Sequence, residues 1–308
     1  MYSVIFPGQG SQIVGMAKEF YLNFNYVKDY FSSTDEILKK NLTKIILDGP
    51  KDLLDQTQNT QPAIFLVSYS IFKVIEKETN FKIRNAKYFA GHSLGEYSAL
   101  CCSNSINFEQ TISLLKNRGM AMQNAVPNNQ GGMTAVLGSS IEMVNEILNN
   151  GKKISCYVAN DNSNGQIVVS GMMKSLALFE NELKKQKIKF IKLQVSAPFH
   201  SPLMNKATED MKQKILNTNF KNPQIDIISN VTAKPVKDFL KIKNLLIEQI
   251  ENPVRWRESI NNMVELGIDN FIEMGPGKVL SGLVKRINRN VKVNHINTLE
   301  EVLNLTND

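Results

Sequence analysis

The stretch Gly91-His92-Ser93-Leu94-Gly95 decides how the chain is interpreted. It matches the pattern G-x-S-x-G, which is typical of a sharp strand-to-helix turn that holds a nucleophilic serine hydroxyl exposed. A run that indicates a buried strand, 87–90, precedes it, and a run of helical pattern, 96–100, follows. The pattern alone is common, so an ordinary glycine-rich turn is the alternative. With its strand and helix, it predicts a catalytic serine at position 93.

The composition is typical of a globular protein. The chain has 308 residues, of which 42% are hydrophobic and 21% charged, enough for a large core and a smaller second unit. It has no apolar stretch of the roughly 18 residues that a membrane helix needs, and residues 1–6 lack the basic segment of a signal peptide. Cys101, Cys102 and Cys156 form no C-x-x-C pair. We therefore expect a cytoplasmic protein, or one in an organelle stroma or matrix after import.

The formal net charge of +7 leaves two interpretations open. One is nucleic-acid binding and the other is a solvated basic surface. We favour the surface, because the lysines are scattered and no basic stripe alternates with aromatic residues. A basic protein still attracts an acidic partner through long-range steering. The scattered lysines are Lys39, Lys40, Lys152, Lys153, Lys184, Lys185, Lys187 and Lys189.

The order of predicted elements indicates an α/β protein with an insertion. A strand at 2–6, a mostly helical stretch to about 75 and two helices after the turn are followed by a break at 126–132. The next segments follow the order β-α-β-β-α-β, the ferredoxin-like split unit. We predict a large domain of residues 1–126 and 197–308 and an inserted domain of residues 127–196. The segments within the insertion are strands at 133–137, 154–159, 166–170 and 188–195 and helices at 141–148 and 175–186.

A nucleophilic serine needs a base within hydrogen-bond reach, and the chain has three histidines. The side chain of His92 should diverge from that of its neighbour Ser93. His295 lies in a polar strand and is expected at the surface. His200 lies in a loop with two prolines at the domain junction, where clefts form. Elimination points to His200 as the base, and a packed loop histidine is the alternative.

Acyl chemistry also needs donors for an oxyanion. One is expected from the backbone N–H of Leu94 and the other from the loop 7–12. Binding of a phosphate by that loop is excluded, because Ile13 stands where G-x-G-x-x-G needs its third glycine. Arg118 lies on or beside the apolar stripe of its helix, so it is a salt-bridge partner, a snorkelling side chain or a clamp for a substrate carboxylate. The residues show neither a metal site nor a third, carboxylate member of a triad.

Six segments resemble the malonyl-CoA:acyl carrier protein transacylases, in the same order and over nearly the whole chain. They are Phe-Pro-Gly-Gln-Gly-Ser-Gln at 6–12, Gly-His-Ser-Leu-Gly-Glu-Tyr-Ser-Ala-Leu at 91–100, Asn-Arg-Gly at 117–119, Ala-Pro-Phe-His-Ser-Pro-Leu-Met at 197–204, Asn-Pro-Val-Arg-Trp at 252–256 and Glu-Met-Gly-Pro-Gly-Lys-Val-Leu at 273–280. The resemblance implies an α/β-hydrolase-like large domain with a ferredoxin-like insertion.

The resemblance also implies the roles of single residues. Ser93 accepts the acyl group, His200 is the base, and the backbone N–H groups of Gln9 and Leu94 form the oxyanion hole. Arg118 grips the malonyl carboxylate.

Further residues of the pocket are implied in the same way. A backbone carbonyl near Gln249 orients the histidine in place of an aspartate, and Asn160 lines the pocket. Phe199 before His200 is the form that goes with a malonyl group. Pro198, just before it, departs from the family pattern.

The implied reaction is a ping-pong transfer from malonyl-CoA to the phosphopantetheine thiol of acyl carrier protein, which supplies fatty acid synthesis. No cofactor is expected, and the partners are coenzyme A and a transiently bound acidic carrier; nucleic acid and membrane are not. Lys278, Lys285 and Arg286 are candidate carrier contacts, and the protein is expected to be a monomer. A serine esterase or thioesterase with the same serine and histidine is the alternative function, and a non-catalytic carrier-binding module is a third.

Overall fold

The computed structural model describes residues 1–127, 129–150, 154–195 and 197–305. Asn128 in the predicted break, Lys152 and Lys153 in the predicted insertion, and Ser196 at its end lie outside the described residues, as does the segment 306–308 of the predicted large domain.

Two sheets organise the described residues. The larger has six strands in the order β10-β9-β1-β2-β7-β8, and the smaller has four in the order β4-β5-β3-β6. The strands are β1 Tyr2–Phe6, β2 Tyr88–Gly91, β3 Gly131–Leu137, β4 Cys156–Ser163, β5 Gln166–Met172, β6 Lys189–Lys192, β7 Asp226–Ile228, β8 Pro235–Val236, β9 Asn270–Met274 and β10 Lys292–Ile296.

Helices α5, α6, α13 and α14 contact the larger sheet, and α8 and α9 pack on the smaller one. The α-helices are α1 Lys18–Asn23, α2 Asn25–Leu38, α3 Leu42–Asp48, α4 Lys51–Leu54, α5 Thr57–Glu78, α6 Gly95–Cys102, α7 Phe108–Gln123, α8 Ile141–Asn150, α9 Met173–Lys185, α10 Asn205–Asn217, α11 Phe239–Glu248, α12 Trp256–Glu265, α13 Val279–Ile287 and α14 Leu299–Leu303. Two 3₁₀ turns lie at Ile83–Asn85 and Pro202–Met204. Within the described ranges, none of these helices combines the length and the apolar character that crossing a membrane requires.

The centre of the larger sheet is parallel and buried on both faces. Strand β1 pairs in parallel with β2 on one side and with β9 on the other. Val4, Ile5 and Phe6 have no exposed surface, which explains why the second half of the strand is continuously apolar instead of alternating. Phe6 and Gly91 lie opposite each other where β1 and β2 end. The loops that follow these strands, which contain the two most distinctive motifs of the sequence, therefore meet at one edge of the sheet.

The smaller sheet is antiparallel, and its elements follow the predicted order: β3, α8, β4, β5, α9 and β6. One face has its own apolar cluster, in which Val144 of α8 and Phe179 of α9 pack on Val136 and Val169. The other face, with Ala159, joins the core of the larger part. The smaller sheet and its two helices thus form two layers, and the other face of the sheet packs on the core of the larger part.

Strand β4 differs from its prediction. The sequence predicted a strand at 154–159 followed by a turn rich in Asn and Gly, but β4 continues to Ser163. Two kinds of pairing extend the strand. Asn160, Asp161 and Ser163 pair with β5. Val254 adds a long-range partner, because it donates its N–H to Ala159 O at 2.8 Å and accepts from the Asp161 N–H at 3.0 Å. Strand β6 is shorter than the predicted 188–195. The extension of β4 places Asn160 and Asn162 against the larger part.

Candidate active site

The predicted turn at Ser93 has the backbone of a strained elbow. Ser93 has φ of 53°, a left-handed conformation that is uncommon for a residue with a side chain. A side chain at either flanking glycine would clash with the backbone. A Cβ on Gly91 would lie 1.9 Å from Gly95 C, and a Cβ on Gly95 would lie 2.3 Å from Phe6 O. Helix α6 begins at Gly95. The elbow therefore turns from β2 into α6 within three residues and presents the Ser93 hydroxyl at the sheet edge.

Ser93 and His200 are in contact. Ser93 Oγ lies 2.8 Å from His200 Nε2, and His200 Nδ1 lies 2.9 Å from the backbone carbonyl oxygen of Gln249. A carbonyl oxygen can only accept a hydrogen bond, so Nδ1 bears the proton and Nε2 accepts from the serine hydroxyl. A neutral carbonyl thus takes the place of the third, carboxylate member of a triad. His200 itself has φ of 55°, which turns its ring toward the elbow.

The pKa of His200 is lowered to about 3, chiefly by burial and further by the neighbouring charge of Arg118. The imidazole is therefore neutral across the physiological range, and its Nε2 lone pair is available to the serine hydroxyl. The other two histidines lie elsewhere. His92 Nε2 contacts Asn162 Oδ1 at 2.8 Å, and His295 Nε2 lies 3.0 Å from Glu301 Oε1.

Arg118 of α7 is wholly buried and points at the serine. Its Nη2 donates to Ser93 Oγ at 3.1 Å and to Gln249 Oε1 at 2.9 Å, while Nη1 donates to Gln61 Oε1 at 2.9 Å. All three acceptors are neutral, and within the described part of the chain no carboxylate lies within 4.0 Å of the guanidinium. Its Nε has no partner among those residues. Neither a salt bridge nor a snorkelling side chain describes this arginine; it is a buried cation without a paired anion.

Gln249 connects four residues of the site. Its carbonyl accepts from His200 and its Oε1 from Arg118, while its Nε2 donates to Glu96 Oε2 at 2.7 Å and to Ser93 O at 3.1 Å. This residue is the C-cap of α11, directly after Glu248.

Sequence reasoning missed Gln61, Glu96 and Asn230. Asn230 accepts the Ser93 N–H at 2.7 Å and donates from Nδ2 to Gly91 O at 2.7 Å, so its amide braces both sides of the elbow. For Glu96 a signal existed: a carboxylate stands directly after the second elbow glycine, in a helix that is buried at every position. Gln61 and Asn230 lie far from Ser93 along the chain, and no spacing pattern indicates them.

The two expected oxyanion donors lie on the loops that meet at the sheet edge. The backbone N–H groups of Gln9 and Leu94 donate to no acceptor among the described residues. Leu94 caps the N-terminus of α6, where the helix dipole favours negative charge. Gly8 allows its loop to approach the elbow, because a Cβ there would lie 2.6 Å from His92 O. Two donors without an acceptor among the described residues thus lie on the two loops that meet at the elbow.

Asn160 and Phe199 are close to the site without bonding to the serine. Asn160 Nδ2 lies 3.4 Å from His92 Nε2, and its buried Oδ1 has no partner in the described residues. The Phe199 carbonyl accepts from Ser170 Oγ at 2.5 Å, which fixes the backbone just before His200. Pro198 is packed so tightly on β3 that a Cβ on Gly131 would lie 2.3 Å from its ring.

A cleft of about 330 Å³ opens beside His200, between the smaller sheet and the segment after α11. It is lined by Asn145, Leu148, Asn149, Cys156, Tyr157, Val158, His200, Pro202, Glu251, Asn252 and Pro253. The described residues contain no group of three or more His, Cys, Asp or Glu side chains that could hold a metal ion. What the site offers is a hydroxyl, an imidazole, a buried cation and unused N–H donors, the requirements of acyl transfer through serine.

Residues 3–301 match the model of the acyl transferase domain family. The malonyl CoA-acyl carrier protein transacylase of Bacillus subtilis (strain 168) is 40% identical over 291 residues, 94% of this chain and 90% of that protein. The crystal structure of acyl-carrier-protein-S-malonyltransferase from Bartonella henselae superposes with a TM-score of 0.95 at 39% identity, covering 98% of this chain and 97% of that one.

A third structure, a malonyl-transacylase in complex with its type II PKS acyl-carrier protein, gives a TM-score of 0.94 at 33% identity, with 98% of this chain and 97% of that chain covered. The matches thus agree along almost the full length of the chain in both sequence and fold. The chain belongs to the malonyl CoA-acyl carrier protein transacylases, within the acyl transferase domain family.

Proposed function

We propose that the protein transfers a malonyl group from malonyl-CoA to the phosphopantetheine thiol of an acyl carrier protein, and so supplies chain-extender units for fatty acid synthesis. One observation carries the proposal: the buried, unpaired Arg118 reaches the same hydroxyl that His200 activates. A cation beside a nucleophile suits an acyl group that bears a carboxylate. The names of the relatives in sequence and structure support the same substrates.

In the first half-reaction, His200 Nε2 accepts the proton of Ser93 while Oγ attacks the thioester carbonyl carbon of malonyl-CoA. The tetrahedral intermediate collapses with cleavage of the carbon–sulfur bond, and His200 returns the proton to the coenzyme A thiolate. A malonyl-serine ester remains. The 2.8 Å contact supports this proton transfer, because a general base must lie within hydrogen-bond reach.

In the second half-reaction, the phosphopantetheine thiol loses its proton to His200 and attacks the ester carbonyl. The carbon–oxygen bond to Ser93 breaks, and His200 returns the proton to Oγ. In both steps the N–H groups of Gln9 and Leu94 hold the developing oxyanion, a role that their lack of other acceptors among the described residues supports. The Gln249 carbonyl keeps the imidazole in the required tautomer.

Arg118 supplies the acyl selectivity. An acetyl group offers no anion and would leave the buried guanidinium without a charged partner, whereas a malonyl carboxylate can pair with it. Asn160 and Phe199 complete the pocket in this proposal, supported by the unpartnered Asn160 Oδ1 and by the family pattern before His200.

We further propose the predicted domain division. Residues 1–126 and 197–308 form an α/β-hydrolase-like domain, and residues 127–196 a ferredoxin-like insertion. The parallel sheet with its serine elbow supports the first assignment, and the four-stranded antiparallel sheet with two helices on one face supports the second. The cleft beside His200 then lies between the two units.

The acyl carrier protein is the proposed transient partner, and exposed basic residues of α13 and its start are candidate contacts. Lys285 and Arg286 are exposed but each makes a hydrogen bond, to Val291 O and to Gln166 Oε1. Lys278 is exposed at the start of the helix. The monomeric state and the cytoplasmic location stay predictions of the sequence.

Mass spectrometry of the protein after incubation with malonyl-CoA tests the proposal. We expect a malonyl adduct on Ser93 that disappears when acyl carrier protein is added and appears as malonyl-carrier. Ser93→Ala should form no adduct, whereas Ser98→Ala, which removes a buried hydroxyl without a hydrogen-bond partner among the described residues, should load normally. Free malonate without malonyl-carrier would instead establish the esterase or thioesterase alternative. Full transfer by Ser93→Ala would reject the covalent mechanism.

A further inference from the structure

Glu96 is a buried carboxylate that the reaction described above does not use. It lies in the first turn of α6, directly after the elbow, and only 2% of its surface is exposed. Its Oε2 accepts two hydrogen bonds, from Gln249 Nε2 at 2.7 Å and from the Asn230 backbone N–H at 3.1 Å. Burying an ionisable carboxyl is costly unless its contacts compensate. The identity of those two partners indicates what the carboxylate does.

Both partners of Glu96 hold parts of the catalytic arrangement. The other end of the Gln249 amide accepts from Arg118 at 2.9 Å. The side chain of Asn230 accepts from the Ser93 backbone and donates to Gly91 O, both at 2.7 Å. Glu96 therefore supports the arginine through one amide and the strained elbow through another.

Charge decides which way round the Gln249 amide lies. A guanidinium can only donate and a carboxylate can only accept, so the amide oxygen must face Arg118 and the amide nitrogen must face Glu96. A neutral amide in place of Glu96 would remove the charged acceptor of Gln249 Nε2, and only Ser93 O at 3.1 Å and Asn230 Oδ1 at 3.3 Å would then favour the present orientation over the flipped one. In the flipped orientation the Gln249 NH₂ would face the guanidinium, donor to donor, and Arg118 would lose an anchor.

We propose that Glu96 is a positioning residue for malonyl transfer: by holding the side chain of Gln249 and the backbone of Asn230, its carboxylate fixes Arg118 and the Ser93 elbow in the reactive geometry. The proposal rests on the function proposed above. It assigns a role to a residue that touches neither the acyl group nor the reacting atoms and acts through its two neighbours.

The surrounding groups give this role a pH signature. Arg118 of α7 stays charged, His200 titrates only near its lowered pKa of about 3, and burial lowers the pKa of His92 as well. On the same helix, burial raises the pKa of Tyr97 to about 12. The pKa of Glu96 is raised to about 7, mainly by burial. Glu96 is thus the group of this set that changes charge near neutral pH, and its grip on Gln249 weakens as pH falls through that value.

The experiment measures the rate of Ser93 acylation by malonyl-CoA and by acetyl-CoA between pH 5.5 and 8.5. For the unmodified protein, we expect the malonyl-to-acetyl ratio to rise with a midpoint near pH 7. In Glu96→Gln, malonyl loading at pH 8 should fall about 10- to 100-fold, the scale of a lost charge-assisted hydrogen bond, and the rise with pH should vanish. Glu96→Asp should restore part of the rate and of the pH dependence.

Glu180→Gln is the matched control, because Glu180 is also a buried carboxylate with a side-chain donor, Thr134 Oγ1 at 2.8 Å, but lies in the smaller sheet unit. It should leave both rates and the pH profile unchanged. If Glu96→Gln does not fold, the pH dependence of the ratio in the unmodified protein still decides. If the malonyl-to-acetyl ratio of the unmodified protein does not change with pH, the positioning role is wrong, and the proposed function is unaffected. A Glu96→Gln variant with the parent's rates and midpoint has the same consequence. Absence of any Ser93 adduct in the unmodified protein overturns the proposed function and this role together.

Discussion

Replacing Arg118 by alanine should remove the preference for malonyl over acetyl and leave the Ser93–His200 contact in place. Arg118 lies on α7, whereas His200 follows β6 and is held by the Gln249 carbonyl. The backbone positions of Ser93 and His200 therefore do not depend on the Arg118 side chain. The substitution removes three hydrogen bonds, to Gln61, Gln249 and Ser93. Only a carboxylate-bearing acyl group gains from a charge at that position.

The magnitude follows from the burial of the guanidinium. Arg118 has no exposed surface, and removing one partner of a buried, hydrogen-bonded ion pair costs about 3–5 kcal/mol. Each 1.4 kcal/mol is about tenfold. The malonyl-to-acetyl ratio of kcat/KM should therefore fall by about 100-fold to a few thousand-fold, almost entirely through the malonyl value. Arg118→Lys keeps the positive charge but loses the bidentate geometry of the guanidinium. Its malonyl-to-acetyl ratio should therefore lie between that of the parent and that of Arg118→Ala.

The assay is acylation of the protein by each CoA thioester, followed by mass spectrometry or by release of the coenzyme A thiol. Arg84→Ala is the matched control: Arg84 also makes several hydrogen bonds, to Glu76, Cys102 and Gln224, but none to the site. Its ratio should equal the parent's. An Arg118→Ala protein that folds normally and retains the parent's ratio would refute the clamp and the charge argument together.

Two further changes test the elbow and the buried base. Gly95→Ala should abolish acylation of Ser93 and destabilise the fold by at least about 1–3 kcal/mol, because its Cβ would lie 2.3 Å from Phe6 O. Gly282→Ala on α13 is the control, because a Cβ there meets nothing within 4 Å. In denaturant unfolding, this control should be more stable than the parent by up to about 1 kcal/mol. The pKa of His200 is lowered to about 3, so below pH 6.5 the unfolded chain binds a proton that the native state does not, and stability is lost as pH falls toward 3. The unfolding free energy of the parent relative to His200→Gln should therefore drop by about 2 kcal/mol between pH 7 and 5; an unchanged difference would contradict a neutral buried imidazole.

The elbow was predictable because its requirements are local. Two glycines at fixed spacing, a buried strand and a helix all lie within 91–100, and the backbone of Ser93 follows from them. The assignment of His200 was of a different kind. It relied on a count of three histidines, and the structure brings that histidine to Ser93 Oγ while placing His92 and His295 against other partners.

Gln61 and Asn230 were not predicted, and Gln249 was implied only by the family resemblance, because the positions of these residues depend on long-range contacts. Asn230 and Gln249 lie far along the chain from Ser93, and only the parallel pairing of β2 with β7 brings the first of them to the elbow. The predicted end of β4 was wrong for a related reason. Its Asn-rich segment has the composition of a turn, but its residues pair with β5 and, at Asn160, with Val254, and this pairing extends the strand.

The use of a carbonyl in place of a triad carboxylate has an electrostatic reason in this site. A carboxylate bonded to His200 would place a negative charge beside Ser93, where it would pair with Arg118 and repel a malonyl group. The neutral Gln249 carbonyl orients the imidazole without that charge. The carboxylate that the site does contain, Glu96, is separated from Arg118 by the Gln249 amide, which accepts from one and donates to the other. In the proposed mechanism, Glu96 thus helps to hold Arg118 without pairing with it directly, and the charge of the arginine stays available for the carboxylate of the substrate.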